Sequence, residues 1–461
     1  MSEKIIFKAD FNTVTQKIKP MHGVGQPPLA DFMYGLPMMK YFTRAGIPFS
    51  RLHDVGGWMG GGLYVDIPNI FRDFDADEND PASYDFSFTD FVIANLMRAG
   101  CEPYFRLGVT IENAHHMIKA YRIFPPKDFK KWARVCEHIV RHYNEGWANG
   151  FNFNITYWEI WNEPDDCYKP ETSAMWHGTP EEYFELYSIT SKHLKECFGD
   201  KIKVGGYGHC GLYEWRKDTD LNGYGEITYI YDFVMDFMHG FFKYQKETGA
   251  PIDFFSWHVY DNCHPSTKED FTEIKNHADY IRRILDHYGY KNTEHHLNEW
   301  NLFTDMRHRD ACQSAAKTLG FMLMMQDTTT DIMCYYDAEV GASSYGGIFN
   351  PDNCYPYRNY YTFMMFNTLY KLKNQVSSTL EGNPHVFALA ARDGKKAAIV
   401  LSNTCSVPVT VELDIKNFEW EDVEILRIDE ENRYTLTGEH IRSKTITLEP
   451  FGCAEIKMWE K

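Results

Sequence analysis

Eight short apolar runs, separated by longer amphipathic segments, fill the stretch from Met21 to Tyr336. They cover residues 21–24, 49–53, 102–107, 156–161, 202–205, 254–258, 294–298 and 332–336. Runs of this length are strands, and the segments between them have the length and period of helices, for instance residues 90–99, 127–143, 180–197, 275–288 and 311–326. Strands that alternate with helices pair in parallel, because each helix carries the chain back to start the next strand in the same direction. Eight such units predict an α/β fold, a closed (β/α)8 TIM barrel over residues 12–375. The segment at 311–326 is apolar around much of its circumference, so its methionines read as packing against the sheet rather than as a binding surface.

After Pro384 the texture changes: residues 386–391, 397–402, 409–413, 423–428 and 444–448 are strand-like, with no helix-period segment among them. Residues 376–461 are therefore expected to form a small accessory β-sandwich, which residues 1–11 could join through the strand-like run at 5–11. Of the 461 residues 44% are hydrophobic and 16% aromatic, enough for a large core with rings left over to line a cleft. A net charge of -18 argues against nucleic-acid partners, whose binding rests on neutralising phosphates with Lys and Arg. No apolar run approaches the roughly 18 residues of a membrane span. Residues 1–10 lack a signal-peptide core, and the eleven cysteines are scattered without CxxC pairs, so a reduced, cytoplasmic protein is expected. Homo-oligomerisation is left open, since no subunit interface is legible.

Chemistry concentrates where the runs end. Thr156-Tyr157-Trp158-Glu159-Ile160-Trp161-Asn162-Glu163-Pro164 runs like a buried strand and stops at Pro164, which has no amide for a ladder, so Glu163 falls at the strand exit. His295-His296-Leu297-Asn298-Glu299-Trp300-Asn301 delivers a second carboxyl in the same way. Other predicted ends carry Arg51, His53, Asp54, Arg106, His258, Tyr260, Tyr336 and Asp337, at the face where barrels assemble their active sites. Two carboxyls among aromatic rings suit glycoside hydrolysis, in which one group protonates the leaving oxygen and the other attacks or activates water.

Plainer readings compete for several of these residues. Glu159 is better taken as a structural barrel carboxylate than as an acid, and Arg51 and Arg106 as ion-pair partners of buried carboxylates. His258 could be a satisfied core histidine. The pairs His115-His116 and His295-His296 invite a metal reading, but adjacent strand side chains point to opposite faces. Gly206-Tyr207-Gly208-His209-Cys210-Gly211 matches GxGxxG, yet a polar segment follows instead of a helix, so the glycines read as a flexible loop at the cleft rather than a dinucleotide site.

With Trp158-Glu159-Ile160-Trp161-Asn162-Glu163-Pro164 on a fourth strand and Leu297-Asn298-Glu299-Trp300 on a seventh, the chain resembles glycoside hydrolase family 39, which includes β-xylosidases and α-L-iduronidases. Arg51-Leu52-His53 resembles that family's second-strand motif and Phe255-Ser256-Trp257-His258-Val259-Tyr260 its sixth. The resemblance implies a retaining enzyme with Glu163 as acid/base and Glu299 as nucleophile. It further implies Asn162 on the sugar 2-hydroxyl, and His258, Tyr260, Arg51 and His53 around the glycone. Trp300, Tyr336 and Asp337 complete the expected substrate-binding set, and no metal or cofactor is called for. A retaining mechanism needs the carboxyls about 5 to 5.5 Å apart, against about 6.5 to 9.5 Å for an inverting one.

A sugar carboxylate would call for Arg or Lys near Glu299, whereas residues 300–305 and 337–340 are aromatic, neutral or acidic, with Arg307 and Arg309 further on. The expected substrate is a short, neutral, plant-derived oligosaccharide, cleaved from its end in a pocket closed by a loop at 341–357. An arabinosidase, galactosidase or glucosidase on the same barrel is the alternative within the class. A non-catalytic sugar-binding protein and a metal-dependent isomerase or aldolase are the alternatives outside it.

Overall fold

The computed structural model describes residues 4–29, 38–55, 65–111, 123–166, 170–211, 232–260, 270–302, 309–340, 345, 347–438 and 444–460. Strand β1 spans Ile5–Lys17, and β2 to β9 then follow at Gly23–Gly25, Phe49–Arg51, Glu102–Leu107, Tyr157–Ile160, Lys203–His209, Phe254–Tyr260, Glu294–Asn301 and Ile332–Tyr335. The last eight pair in parallel in chain order, and β9 returns to β2, closing the barrel that the alternation of runs predicts. Helices including Phe129–Glu145, Pro180–Phe198 and Cys312–Met325 surround it. Their ends follow local chemistry: Asp128 accepts hydrogen bonds from the amides of Lys130 and Lys131 to start one, and Thr179 and Glu182 form a reciprocal capping box with Pro180 at the first turn of the next.

Along its axis the barrel interior changes from apolar to charged. At the N-terminal end Tyr104, Tyr157, Phe254, Ile332 and Cys334 form a compact plug. Beneath it Glu294 accepts hydrogen bonds from Tyr157 at 3.1 Å and from Lys203, and His296 bridges it to Tyr104. Alternate residues of the same strands, such as Phe105, Trp158, Phe255, Trp257 and Leu297, belong to the main core under the helices. Above the plug the inward positions turn polar.

The remaining strands are β10 to β17, at Asn374–Glu381, Val386–Asp393, Lys396–Asn403, Val409–Lys416, Trp420–Ile428, Arg433–Leu436, Thr445–Leu448 and Cys453–Glu460. Together with β1 they make one nine-stranded mixed sheet, ordered β15-β14-β17-β12-β11-β10-β1-β13-β16. Strand β1 lies antiparallel to β10 and parallel to β13. β10 and β11 share only two registered pairs, at Asn374 and Gln375, so the sheet bends there. Its two halves then face each other over a single apolar cluster containing Phe7, Val411, Ile399 and Ile456.

Contacts between sheet and barrel are specific. Ser402 donates to the Ala316 carbonyl at 2.7 Å, Phe387 lies 5.3 Å from Phe271, and Arg358 donates to the carbonyls of Asp429 and Glu430. No helix of the described residues is long and apolar enough to cross a membrane.

Of the glycines expected to form a cleft loop, Gly206 and Gly208 are instead strand residues of β6, as is Gly205 before them, and Gly211 lies just past its end. A Cβ on Gly205 would lie 2.0 Å from the Phe254 carbonyl oxygen, and one on Gly206 2.8 Å from that of Ile160. Glycine is required because neighbouring backbone approaches too closely for any side chain. The pair His115-His116, Arg307 and most of 341–346 lie outside the described residues.

Candidate active site

Arg51 ends β3 and sits at the centre of the polar half of the barrel, 1% exposed. Its three nitrogens diverge to β5, to β8 and to the turn that follows β5. Nε donates to Glu159 at 2.7 Å, Nη1 to Glu299 at 2.8 Å and Nη2 to the Asn162 carbonyl oxygen at 2.5 Å. A planar guanidinium holds its donors in a fixed fork, so three acceptors are fixed relative to one another at once.

Glu159 points inward from β5, and its other oxygen accepts from Ser256 at 2.6 Å and Asn298 at 2.7 Å. Burial opposes its ionisation, but Arg51 and these hydrogen bonds outweigh that cost and hold its pKa below the ordinary value. With every oxygen engaged and no exposure, Glu159 orders the site from beneath.

Glu163 and Glu299 lie nearer the mouth. After β5 the chain turns sharply: Trp161 has φ 74° and Glu163 φ 43°, and the Glu163 amide donates to the Gly208 carbonyl at 3.0 Å. The Trp161 indole is carried outward to donate to the Met175 carbonyl, while Asn162 and Glu163 face the cleft. Glu163 shares a 2.6 Å hydrogen bond with Nδ1 of His258. Glu299 accepts from the Tyr260 hydroxyl at 2.5 Å on the oxygen that Arg51 does not hold. One donor atom each from Glu163, His258 and Glu299 falls within 4.8 Å of the others.

The placement of Glu299 depends on an irregularity. Trp257 on β7 is opposite Leu297 and His258 is opposite Glu299, leaving Asn298 as the extra residue of a bulge. Strict alternation would send Asn298 and Glu299 to opposite faces. The bulge lets both enter the barrel, one to Glu159 and the other to Arg51 and Tyr260.

Electrostatics separate the two carboxyls. Burial, then the nearby carboxylates Asp166 and Asp165, push Glu163 well above the usual range. Burial also raises Glu299, but less, because His258, Arg51 and the Tyr260 hydroxyl favour its anion against the effect of Glu163. Glu299 therefore ionises first. Burial drives His258 down to about 4, so its contact with Glu163 joins a neutral imidazole to a carboxyl group and is not an ion pair at neutral pH.

Of the other expected residues, His53 lies 3.2 Å from Asp54, which is raised to about 6 by burial and accepts a 3.0 Å hydrogen bond from Tyr336. Tyr336, Tyr260 and Tyr345 form an aromatic cluster, with Tyr345 centred 4.9 Å from Tyr260 and 5.1 Å from Tyr336. Asp337 is buried, and a Cβ on Gly347 would lie 3.2 Å from its Oδ1. Trp300 is not brought to the cleft. As the residue after Glu299 on a strand, it faces the helices and packs on Phe321 and Tyr335. Arg106 pairs at 2.8 Å with buried Asp66, away from both glutamates.

Sequence reasoning did not assign Ser256, Asn298, Asp165, His209 or Gly208. Ser256 shares the inward period of His258 and Tyr260 and was recoverable from it. Asp165 holds His209 at 2.7 Å behind Glu163, a pairing between separate strands' ends that spacing does not reveal.

The carboxyl, imidazole and carboxyl of Glu163, His258 and Glu299 resemble a metal-ligand set in type. Both oxygens of Glu299 are taken by donors outside the set, Oε2 by Arg51 and Oε1 by Tyr260, so neither is left to face a cation. The arrangement suits proton transfer and nucleophilic attack better than metal binding.

The sequence model described as Glycosyl hydrolases family 39 matches residues 28–419. A β-xylosidase from Geobacillus stearothermophilus is 25% identical over 218 residues, which take in 45% of this chain and only 37% of that protein. Among solved structures, a glucosidase from Croceicoccus marinus matches over 100% of both chains with a TM-score of 0.79 at 22% identity. A monomeric β-xylosidase from Caulobacter crescentus CB15 matches over 99% of each chain with a TM-score of 0.67 at 14% identity. At these identities the structural likenesses establish the fold.

Proposed function

The chain belongs to glycosyl hydrolases family 39 and is a glycoside hydrolase; from that premise we propose that it is a retaining, β-xylosidase-like exo-enzyme acting on short oligosaccharides. The observation that carries the reading is the unequal environment of two carboxyls whose donor atoms lie within 4.8 Å of each other. Such closeness accords with the separation of about 5 to 5.5 Å used by retaining enzymes. Glu299, which ionises first, is the nucleophile. Glu163, held protonated by burial and by Asp166 and Asp165, is the acid.

In the first step Glu299 attacks the anomeric carbon while Glu163 gives its proton to the departing oxygen. A covalent glycosyl-enzyme forms and the aglycone leaves as an alcohol. Glu163, now an anion, accepts a hydrogen bond from His258 Nδ1. It next takes a proton from water, which attacks the same carbon and releases Glu299. Two inversions give net retention. Arg51 keeps the attacking carboxylate fixed through both steps. The Asn162 amide nitrogen is buried without a partner among the described residues, which supports donation to a hydroxyl of the bound sugar.

Asp54, Asp337 and Glu339 accompany the two glutamates around the strand ends, and Arg51 is committed to its three partners. This balance favours a neutral glycone over a uronic acid. The cytoplasmic location and exo action remain part of the proposal, resting on the sequence.

Release of nitrophenol from aryl β-xyloside, α-arabinoside, β-galactoside, β-glucoside and α-iduronide tests the reading. One neutral glycoside should turn over, Glu299→Ala should abolish turnover, and azide should rescue it as a glycosyl azide. Turnover that survives both Glu299→Ala and Glu163→Ala would overturn the assignment.

A further inference from the structure

On the outside of the barrel the helices Phe129–Glu145 and Pro180–Phe198 pack side by side. His193 and Cys197 stand one helical turn apart on the second, and Glu137 reaches them from the first. We propose that Glu137, His193 and Cys197 bind a divalent cation of the zinc class, with water as the fourth ligand, linking the two helices.

The three donor atoms lie within 4.8 Å of one another, and Nε2 of His193 is their common vertex. It lies 2.6 Å from Glu137 Oε2 and 3.9 Å from the Cys197 sulfur. Tetrahedral zinc with bonds of about 2.0 to 2.3 Å would set these edges near 3.4 and 3.6 Å. The first must open by about 0.8 Å and the second close by about 0.3 Å, within reach of side-chain rotation. A carboxylate, an imidazole and a thiolate select zinc-like ions over magnesium or calcium.

The surroundings support a ligand role for Glu137. Arg141 donates through Nε to Glu137 Oε1 at 2.7 Å, orienting the carboxylate so that Oε2 faces His193. The guanidinium is balanced by Glu145 and held over the Phe198 ring at 5.1 Å. Side-chain exposures of 28% for His193 and 14% for Glu137 leave an entry path while excluding most bulk water. On binding, the proton that Nε2 of His193 shares with Glu137 leaves through solvent, the neutral imidazole carries its one proton on Nδ1, and Nε2 takes the metal. The Cys197 thiol proton passes to solvent.

The test is titration of the metal-stripped, reduced full chain with Co²⁺. Thiolate-to-cobalt charge-transfer absorption arises only when a cysteine sulfur is bound to the ion, so it reports the site directly. One equivalent should bring up the band, and Zn²⁺ should bleach it. Cys197→Ser should abolish the band while leaving glycosidase activity unchanged, and His193→Gln and Glu137→Gln should each weaken binding at least tenfold. Absence of the band at tenfold excess Co²⁺ in the unmodified chain would overturn the proposal. So would a band that survives Cys197→Ser, or unchanged affinity in His193→Gln.

Discussion

Arg51→Lys keeps a positive charge at the centre of the site and removes its geometry. The guanidinium makes three hydrogen bonds of 2.7, 2.8 and 2.5 Å to Glu159, Glu299 and Asn162, all of them buried. A lysine ammonium is a point donor on a flexible stem and cannot span three acceptors that diverge as these do, so at least two contacts lengthen or break. Each buried, charge-assisted hydrogen bond contributes about 1.5 to 3 kcal/mol, so losing two should cost roughly 3 to 6 kcal/mol of folding stability. That loss is readable as a lower midpoint in urea.

The kinetic effect arises from the same contacts. If one of the lost bonds holds Glu299 for attack, about 1.5 to 3 kcal/mol is withdrawn from the transition state, a ten- to hundredfold fall in kcat with a smaller change in KM. Urea unfolding and steady-state kinetics on the turned-over aryl glycoside check both. A lysine variant within about 1 kcal/mol and within threefold of the unmodified kcat would show that charge alone suffices, refuting the geometric account.

Asp166→Asn removes a charge that raises Glu163, so the alkaline limb of kcat/KM should move to lower pH; an unchanged or upward limb would count against Glu163 as the acid. Gly208→Ala places a Cβ at φ 68°, 3.1 to 3.2 Å from Asn162, Arg51 and His258; at least tenfold loss of kcat is expected in a folded protein, with folding monitored by circular dichroism. At the barrel floor, His296 and Lys203 overcome burial and hold Glu294 down to about 2 in the folded chain, below its unfolded value. Its contribution is thus present above the unfolded pKa and fades as pH falls towards 2. Glu294→Gln should therefore flatten the loss of stability between neutral and acid pH, measured by urea unfolding, and parallel curves would contradict the assignment.

The barrel was legible because its signal is periodic: eight runs at strand length leave few other architectures, and both glutamates are marked by their neighbours, Pro164 after one and Asn298 and Trp300 on either side of the other. Less legible was anything depending on departures from period. Alternation on β8 could not foresee that a bulge at Asn298 would bring two consecutive side chains inward, although counted from Glu299 it does turn Trp300 out of the cleft. The glycines of β6 were misleading for a related reason. Their composition reads as a loop, whereas they serve the close approach of strands that are distant in sequence. Pairings such as Asp165 with His209, or Asp54 with Tyr336, exist only after closure.

Strand β1 lies between β10 and β13, so a segment synthesised before the barrel is an interior strand of a sheet whose other strands are synthesised after it. At translation rates of about 5 to 20 residues per second, it waits roughly 20 to 80 seconds for residues 374–416 to emerge. Meanwhile its hydrogen-bonding edges are open and its apolar residues Ile5, Phe7, Ala9 and Phe11 lack their cluster. The nascent chain is accordingly exposed to mispairing on the ribosome, and the barrel must mature while tethered to an unfinished neighbour.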